Sequence, residues 1–538
     1  MKIALAQINT SVGDIEGNTS KIISYIEKSV SLGVDLVAFP ELSITGYPPL
    51  DLLYNQEFID ENIKALNKII ENTENISLII GFVDGNYENK LRVGYNAAAL
   101  IQNKRLIGIQ HKTLLPTYDV FDEARYFYPA KELNVFDING VKIGLQICED
   151  LWDNDYDKKI TKILKEKGAE FIFNINASPF YKNKSIERQE LLIRQAKSNN
   201  IPIFYVNQVG AQDELVFDGN SLIVNSNGKF VAEGKKFEED LIVFDANNLN
   251  KEIEASKYND KDLFDALVLG TRDYFRKSGF SKAVLGLSGG IDSSLTAVIV
   301  TESLGKENVI GVSMPSHYSS QHSKDDAKEL AEKLGIKYLV IPIEQAFISM
   351  KETMKNEFSG LKENIAEENL QARIRGNILM ALSNKFNYLV LSTGNKTELA
   401  LGYCTLYGDM SGGLAVISDL SKTEVYNLSR LYNKIRNKEI IPRSSIEKIP
   451  SAELKENQFD PFDYGRISPL VDEIVENRKS KEELFKLGYK EDDINDIFKK
   501  IKNAEYKRKQ ATPGIKVTKK AFGIGRRMPI VNNFQKGL

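Results

Sequence analysis

Two cysteines in 538 residues, Cys148 and Cys404, exclude a disulfide framework and suit a reducing compartment, so a cytoplasmic protein is expected. Three histidines, His111, His317 and His322, with no Cys/His cluster, leave no basis for a transition-metal site. An excess of one charge is missing too. The 71 Lys and Arg nearly balance 74 Asp and Glu, giving a formal charge of −3 and a pI near 6.0. Nothing in that balance calls for nucleic acid or a membrane surface. No apolar run is long enough to span a bilayer, and Met1–Gln7 enters a strand pattern directly, with no basic or apolar leader. Internal repeats and low-complexity tracts are absent. What remains is the composition of an ordinary globular protein, 42% hydrophobic and 27% charged, long enough for two or more domains.

The stretch KAVLGLSGGIDSS, residues 282–294, organises the second half. Apolar residues up to Leu287 read as a short buried strand. Gly286, Gly289 and Gly290 permit a tight turn with bare N–H groups, and Ser293 and Ser294 open the helix-like SSLTAVIVTESL. A helix N-terminus behind such a turn is an anion site. The loop is not a Walker A, because no Lys follows the glycines. Asp292 instead offers a carboxylate for Mg²⁺, and Ser288 and Ser293 offer hydroxyls to phosphate oxygens. A Gly/Ser turn between strand and helix is common in itself, but the full SGGIDSS resembles the pyrophosphate loop of the N-type ATP pyrophosphatases. That resemblance implies cleavage of ATP between its α- and β-phosphates and an adenylated substrate.

In the first half, strand and helix patterns alternate to about Asp245, the mark of an α/β layer fold. Three apolar strands run out at residues of different chemistry: Glu41 in FPELSITGYPP, Lys112 in HKTLLPTYDVFDEARYF and Cys148 in LQICEDLWD. Singly each has an ordinary reading as a helix cap, a solvated strand end or a small core residue. Together they form a working set, since a thiol needs a base (Glu41) and a cation (Lys112) to lower its pKa and hold an oxyanion. In this order and setting the three motifs resemble the nitrilase, or carbon–nitrogen hydrolase, family over residues 1–245. The resemblance implies an α-β-β-α sandwich, attack by Cys148 on an amide carbon, a thioester and released ammonia. It also implies that Glu123 holds Lys112, that Tyr118, Phe121 and Glu149 line a glutamine pocket, and that Ser178 and Lys184 meet the amino-acid end of glutamine.

Residues 246–261 are polar and lack an apolar period, which reads as a linker before a second domain at 262–538. Beyond the loop, VIGVSMP, KYLVIPIE and NYLVLSTG alternate with helical patterns, so a doubly wound, Rossmann-like parallel sheet is expected, with ligands at the carboxyl ends of its strands. The polar loop Ser316–Ser323 carries two histidines and has no assigned role. TGNKTELALGYCTLYGDMSGG and SDLSKTEVYNLSRL resemble the motifs of the NAD synthetases over about residues 262–530. The resemblance implies adenylation of the nicotinate carboxylate of deamido-NAD and displacement of AMP by ammonia. It places Asn369, Arg373, Glu398 and Lys509 on the dinucleotide. The loop residues Gly286, Leu287, Ser288, Gly289, Gly290, Ile291, Asp292 and Ser293, with Thr393, Lys422 and Lys519, meet ATP. Glu398 joins Asp292 as a second Mg²⁺ carboxylate. Cys404, where a small or hydroxyl residue is expected, reads as a buried core residue. The segment ENQFDPFDYGRISP departs from the pattern, which leaves the docking of that loop open. Eight Lys and Arg lie between Glu505 and Arg527; the resemblance folds this basic segment over the active site rather than onto nucleic acid.

A glutamine-hydrolysing domain fused to an ammonia-consuming synthetase explains both halves. An internal tunnel between two sites is expected, because ammonia at neutral pH is mostly protonated and unreactive. The family forms homo-oligomers, so a monomer is not expected. Two alternatives stay open at this stage: the same architecture acting on another acceptor, and an ammonia-only synthetase with an inactive first domain.

Overall fold

The computed structural model describes residues 1–85 and 92–534. The chain divides into two compact units, Met1–Asp262 and Leu263–Leu538. Among the described residues no helix is long and apolar enough to cross a membrane.

The first unit is built on two six-stranded sheets. One runs in the order Asp240–Asp245, Lys2–Gln7, Leu36–Ala38, Ser77–Gly85, Gly94–Gln102, Arg105–His111. The other runs Phe230–Glu233, Leu222–Val224, Ile203–Asn207, Phe171–Asn176, Val141–Ile147, Val135–Ile138. Because successive strand residues face opposite ways, each strand serves two cores. Ile3 and Leu5 meet Leu145, Ile147, Phe173 and Val206 between the sheets. Ala4 and Ala6 turn outward, into a layer with Ile22 and Ile26 of helix Ile15–Ser31 and Leu66 and Ile69 of helix Gln56–Glu71. On the far side Ile172, Ile203 and Tyr205 pack on Leu164, Leu191 and Leu192 of two further helices, Ile160–Glu166 and Lys184–Asn199. The result is the α-β-β-α sandwich.

The polar stretch 246–261 belongs to the first unit rather than hanging between two. The Leu249 carbonyl accepts from Asn225 Nδ2, Ile253 N–H donates to Phe230, and the Ser256 N–H and hydroxyl bind Glu233. Ala255 is buried with the helix-side core. A segment without apolar period still anchors when a strand edge satisfies its backbone.

The second unit holds a five-stranded, all-parallel sheet ordered Lys337–Val340, Val309–Ser313, Ala283–Gly286, Leu389–Ser392, Leu414–Ala415. Its first strand in the chain lies in the middle, so the winding reverses between Ala283–Gly286 and Leu389–Ser392. The crevice at their carboxyl ends is where such sheets bind ligands. Three later helices, Tyr464–Val475, Lys481–Lys486 and Glu491–Asn503, pack Leu470, Ile474, Leu484 and Ile497 against Ala400 and Leu401 of helix Lys396–Leu401.

Candidate active sites

In the first unit, chain geometry delivers three reactive groups to one buried place. Glu41 follows the strand Leu36–Ala38, and its segment crosses directly over Gly81. A Cβ on Gly81 would lie 2.3 Å from Leu42 N and 2.6 Å from Pro40 O, so only glycine lets Glu41 sit so close to the sheet. Lys112 follows Arg105–His111. Cys148 ends Val141–Ile147 and opens a short 3-10 turn with φ of +45°, a left-handed conformation that L residues hold only when the surroundings impose it.

Lys112 Nζ donates to Glu41 Oε1 at 2.7 Å and to Glu123 Oε1 at 2.8 Å, with all three side chains buried. Asn96 Nδ2 donates to Glu41 Oε1 at 2.7 Å, Ala177 N–H to Glu41 Oε2 at 3.0 Å, and the Tyr47 hydroxyl to Glu123 at 3.0 Å. Burial raises the Cys148 pKa well above its usual value, Glu41 adds to the rise, and Lys112 offsets only part of it. Lys112 acts in the expected direction, lowering this pKa, but it does not bring the net value down. Desolvation outweighs the ammonium, and the resting group is a thiol. Burial also lifts Glu123 to about 7. Lys112, between two acids, stays firmly protonated.

Beside the thiol, Glu149 accepts from the Tyr118 hydroxyl at 3.0 Å and the Tyr156 hydroxyl at 3.0 Å, and Tyr118 stacks edge-on against Phe121. Lys184 Nζ lies 3.6 Å from the centre of the Trp152 ring, and burial brings its pKa to about 8. Ser178 N–H donates to Asn207 at 3.0 Å. An acid and a cation thus stand near the thiol, the pair that an amino acid's α-ammonium and α-carboxylate require. Sequence reading passed over Asp150, although it sits two residues from the nucleophile. Fully buried, it accepts from the N–H groups of Thr113 (2.9 Å), Leu114 (2.8 Å) and Ile147 (3.1 Å), clamping the Lys112 loop to the Cys148 strand.

In the second unit the Gly286–Ser293 loop leads into helix Ile291–Leu304. Gly289 has φ of +78°, and a Cβ there would come 2.2 Å from Ser323 O, so both conformation and space require glycine. Ser293 Oγ lies 3.2 Å from Ser288 Oγ and donates to Gly290 O at 3.0 Å, which sets the turn. Two adjoining cavities open at the strand ends. One, of about 210 Å³, is lined by Ser288, Gly290, Ile291, Asp292, Ser293, Thr393, Glu398 and Lys422. The other, of about 260 Å³, is lined by Gly286, Leu287, Ser288 and Thr393 with apolar Val312, Met314, Leu379 and Leu391.

Lys422 Nζ bonds Asp292 Oδ2 and lies 3.6 Å from Glu398, while Asn395 Nδ2 donates to Asp292 Oδ1 at 2.8 Å. Burial and the nearby Asp292 raise Glu398 to about 8. An ammonium already spans the two acids, so a cation is the partner that they require. Among the described residues no set of three or more metal-ligating side chains occurs. Magnesium fits such a pair, because it keeps most of its shell for water and phosphate oxygens.

Other predicted contacts lie apart from these cavities. Asn369 Oδ1 accepts from the Thr405 hydroxyl at 2.8 Å, and Arg373 Nε donates to Leu406 O at 3.2 Å. Lys509 and Lys519 are exposed, and none of these four is among the lining residues. Cys404 corrects the sequence reading in another way. It is half-buried and lines the smaller cavity rather than the core, because the turn after helix Lys396–Leu401 brings it to the wall. The divergent 456–469 region supplies Asp460 to the same wall, where Tyr464 donates to it at 2.8 Å.

Residues 2–250 match the carbon-nitrogen hydrolase family and residues 263–511 the NAD synthase family. The glutamine-dependent NAD(+) synthetase of Thermotoga maritima is 44% identical with full coverage of both chains. That of Synechocystis sp. is 44% identical over 99% of each chain. The chain belongs to the glutamine-dependent NAD(+) synthetase family. Its activity is that of a ligase making NAD with glutamine as nitrogen donor. The solved glutamine-dependent NAD+ synthetase of Acinetobacter baumannii, in complex with ADP, is 37% identical with a TM-score of 0.79, covering 99% of this chain and 98% of that one. The Cytophaga hutchinsonii enzyme, at 24% identity and a TM-score of 0.84 over 99% and 98%, shares the fold. A glutamine-dependent NAD(+) synthetase must house two chemistries, and each unit offers one candidate site.

Proposed function

We propose that the residues above divide one amidation between them. Glu41 takes the Cys148 proton as sulfur attacks the carboxamide carbon of glutamine; the C–S bond forms and the carbonyl becomes an oxyanion, which Lys112 neutralises. Glu41 returns the proton to the departing nitrogen, the C–N bond breaks, and water then cleaves the thioester to glutamate. Glu123 keeps Lys112 charged and fixed. Glu149, with Tyr118 and Phe121, receives the α-ammonium side of glutamine, and Lys184 and Ser178 its carboxylate.

In the second unit, ATP lays its phosphates along Ser288–Ser293, with Thr393 against the adenosine and Lys422 and Lys519 on the phosphates. Asp292 and Glu398 would hold magnesium, which would supply charge screening to the phosphates, and Lys422 shifts from these acids to the nucleotide. The nicotinate carboxylate of deamido-NAD, positioned by Asn369, Arg373, Glu398 and Lys509, attacks the α-phosphorus and releases pyrophosphate. Ammonia then attacks the adenylated carbonyl carbon and AMP leaves.

Ammonia reaches the second site shielded from bulk water; equal incorporation of labelled bulk ammonium and glutamine nitrogen counts against this. The enzyme works in the cytoplasm as a homo-oligomer. Large apolar side chains left exposed on neighbouring helices of the second unit support assembly, among them Ile348, Met350, Ile365 and Phe386, and sedimentation tests it.

The observation that carries this reading is the buried Glu41–Lys112–Glu123 ion cluster around Cys148, in one chain with the Asp292 loop. The test is NAD formation from deamido-NAD, ATP and Mg²⁺ with glutamine or ammonium chloride, for wild type and Cys148→Ala. Loss of the glutamine-supported reaction alone upholds the division. No NAD from either source in the wild type overturns it.

A further inference from the structure

Helix Ile365–Phe386 carries two arginines two positions apart, and residues so spaced leave a helix axis about 200° apart. Arg373 goes toward the Leu406 carbonyl. Arg375 goes the other way, where its Nε donates to the Met314 carbonyl at 3.0 Å. Met314 lies just past strand Val309–Ser313, so Arg375 is held over the carboxyl ends of the sheet. With Ala372, Gly376 and Leu379 of its own helix it walls the cavity of about 260 Å³ that Gly286, Leu287 and Ser288 also line.

Among the described residues no acid is bonded to the guanidinium. Among the described residues the bond to Met314 is its only hydrogen bond, and it makes no ion pair. The acid acting on it is Glu453. That carboxylate is already taken by the Ser320 and Ser323 hydroxyls at 2.8 and 2.6 Å. Desolvation lowers the Arg375 pKa to about 10, which still leaves it protonated at neutral pH. A desolvated cation with no acid bonded to it is costly unless an anion arrives to offset that cost. With Nε anchored, the terminal nitrogens remain as a planar fork that matches two phosphate oxygens. Val312, Met314, Leu379 and Leu391 give the same cavity an apolar wall suited to a purine.

We propose that Arg375 is a nucleotide-binding residue: its terminal nitrogens hold oxygens of the ATP phosphate chain while the apolar wall of its cavity takes the base. As the carboxylate oxygen bonds to the α-phosphorus, the bond to pyrophosphate breaks and the electron pair leaves on pyrophosphate. Arg375 steadies the charge on that chain. Deamido-NAD also carries adenosine phosphate; ATP is favoured because Arg375 shares its cavity with the Gly286–Ser288 loop. The inference rests on the ATP-using synthetase reading.

The test uses the full chain with Arg375→Gln and Arg375→Lys, in ammonium-supported NAD formation. It measures KM for ATP and for deamido-NAD separately, ATP–Mg²⁺ affinity by calorimetry, and the thermal midpoint as the check of folding. Arg375→Gln is expected to raise KM for ATP and weaken ATP binding about tenfold or more, with KM for deamido-NAD within about twofold. Arg375→Lys should recover part of the loss, since it keeps the charge without the fork. A rise in KM for deamido-NAD alone overturns the proposal in favour of the dinucleotide. Unchanged ATP affinity in both variants overturns it in favour of a mere strap to Met314. If the wild type itself binds no ATP, it is the synthetase reading that fails.

Discussion

Lys112 in the first unit and Lys422 in the second are both buried lysines facing two carboxylates, Glu41 and Glu123 in one case and Asp292 and Glu398 in the other. Their surroundings differ. The acids around Lys112 are filled out by Asn96, Tyr47 and the Ala177 N–H, leaving a closed set of partners. The acids around Lys422 line an open cavity, and Arg375, a cation with no acid bonded to it among the described residues, stands on the wall of the next. The difference follows from what each site receives. An amide is neutral at its reacting atoms, so the protein must supply and pre-pair every charge that the oxyanion will use. ATP brings several negative charges and a metal ion with it, so the second site keeps replaceable partners.

Separating the two lysine clusters by activity is the strongest way to break this comparison. Cys148→Ala should abolish glutamine-supported NAD formation, by about 10³-fold or more, and leave the ammonium-supported rate within about twofold. Comparable loss from both nitrogen sources would mean that the sites are not separable. Asp292→Asn should cost about 10²-fold with either source, because it removes one acid of the Lys422 pair and of the proposed magnesium site together. Retained ammonium-supported activity would remove Asp292 from the reaction. Gly289→Ala probes the loop without touching charge. Its positive φ and the 2.2 Å approach to Ser323 O should destabilise the second unit by about 1–3 kcal/mol, read as a lower thermal midpoint.

The smallest effect is a pH dependence. Glu398 is raised from 4.5 to about 8, Asp409 from 3.8 to about 6 and Glu123 from 4.5 to about 7. Between those values the folded protein holds protons that the unfolded chain has released. The stability contribution is full below the unfolded values and lost as pH climbs through the folded ones, so the ligand-free thermal midpoint should fall between pH 6 and 8. ATP–Mg²⁺ should stabilise more at pH 8 than at pH 6, since the proposed metal role of Glu398 requires its ionised form. Glu398→Gln should flatten that part of the slope and leave the part due to Glu123. An unchanged slope in the variant would assign it elsewhere.

Much of both sites was legible because their key residues end local patterns. Glu41, Lys112 and Cys148 each stand where an apolar strand stops, and the Gly286–Ser293 turn joins an apolar strand to a helix. Asn395 also left a local signal, the N-x-x-E capping box that it makes with Glu398. Arg373 and Arg375 were not distinguishable, because RIR reads the same whichever side of the helix meets the cavity. The position of Cys404 depended on a turn without periodicity.

By itself the sequence determined which chemistries the protein carries and on which local elements they sit, since strand ends, glycine turns and helix starts are set by neighbouring residues. Only the tertiary structure decided the partners. Glu41 meets Lys112 across 71 residues and the Ala177 N–H across 136, while Asp292 meets Lys422 across 130. Burial then moved the Cys148 pKa upward against the pull of Lys112. Desolvation depends on every element packed around a group, and no stretch of sequence contains that environment.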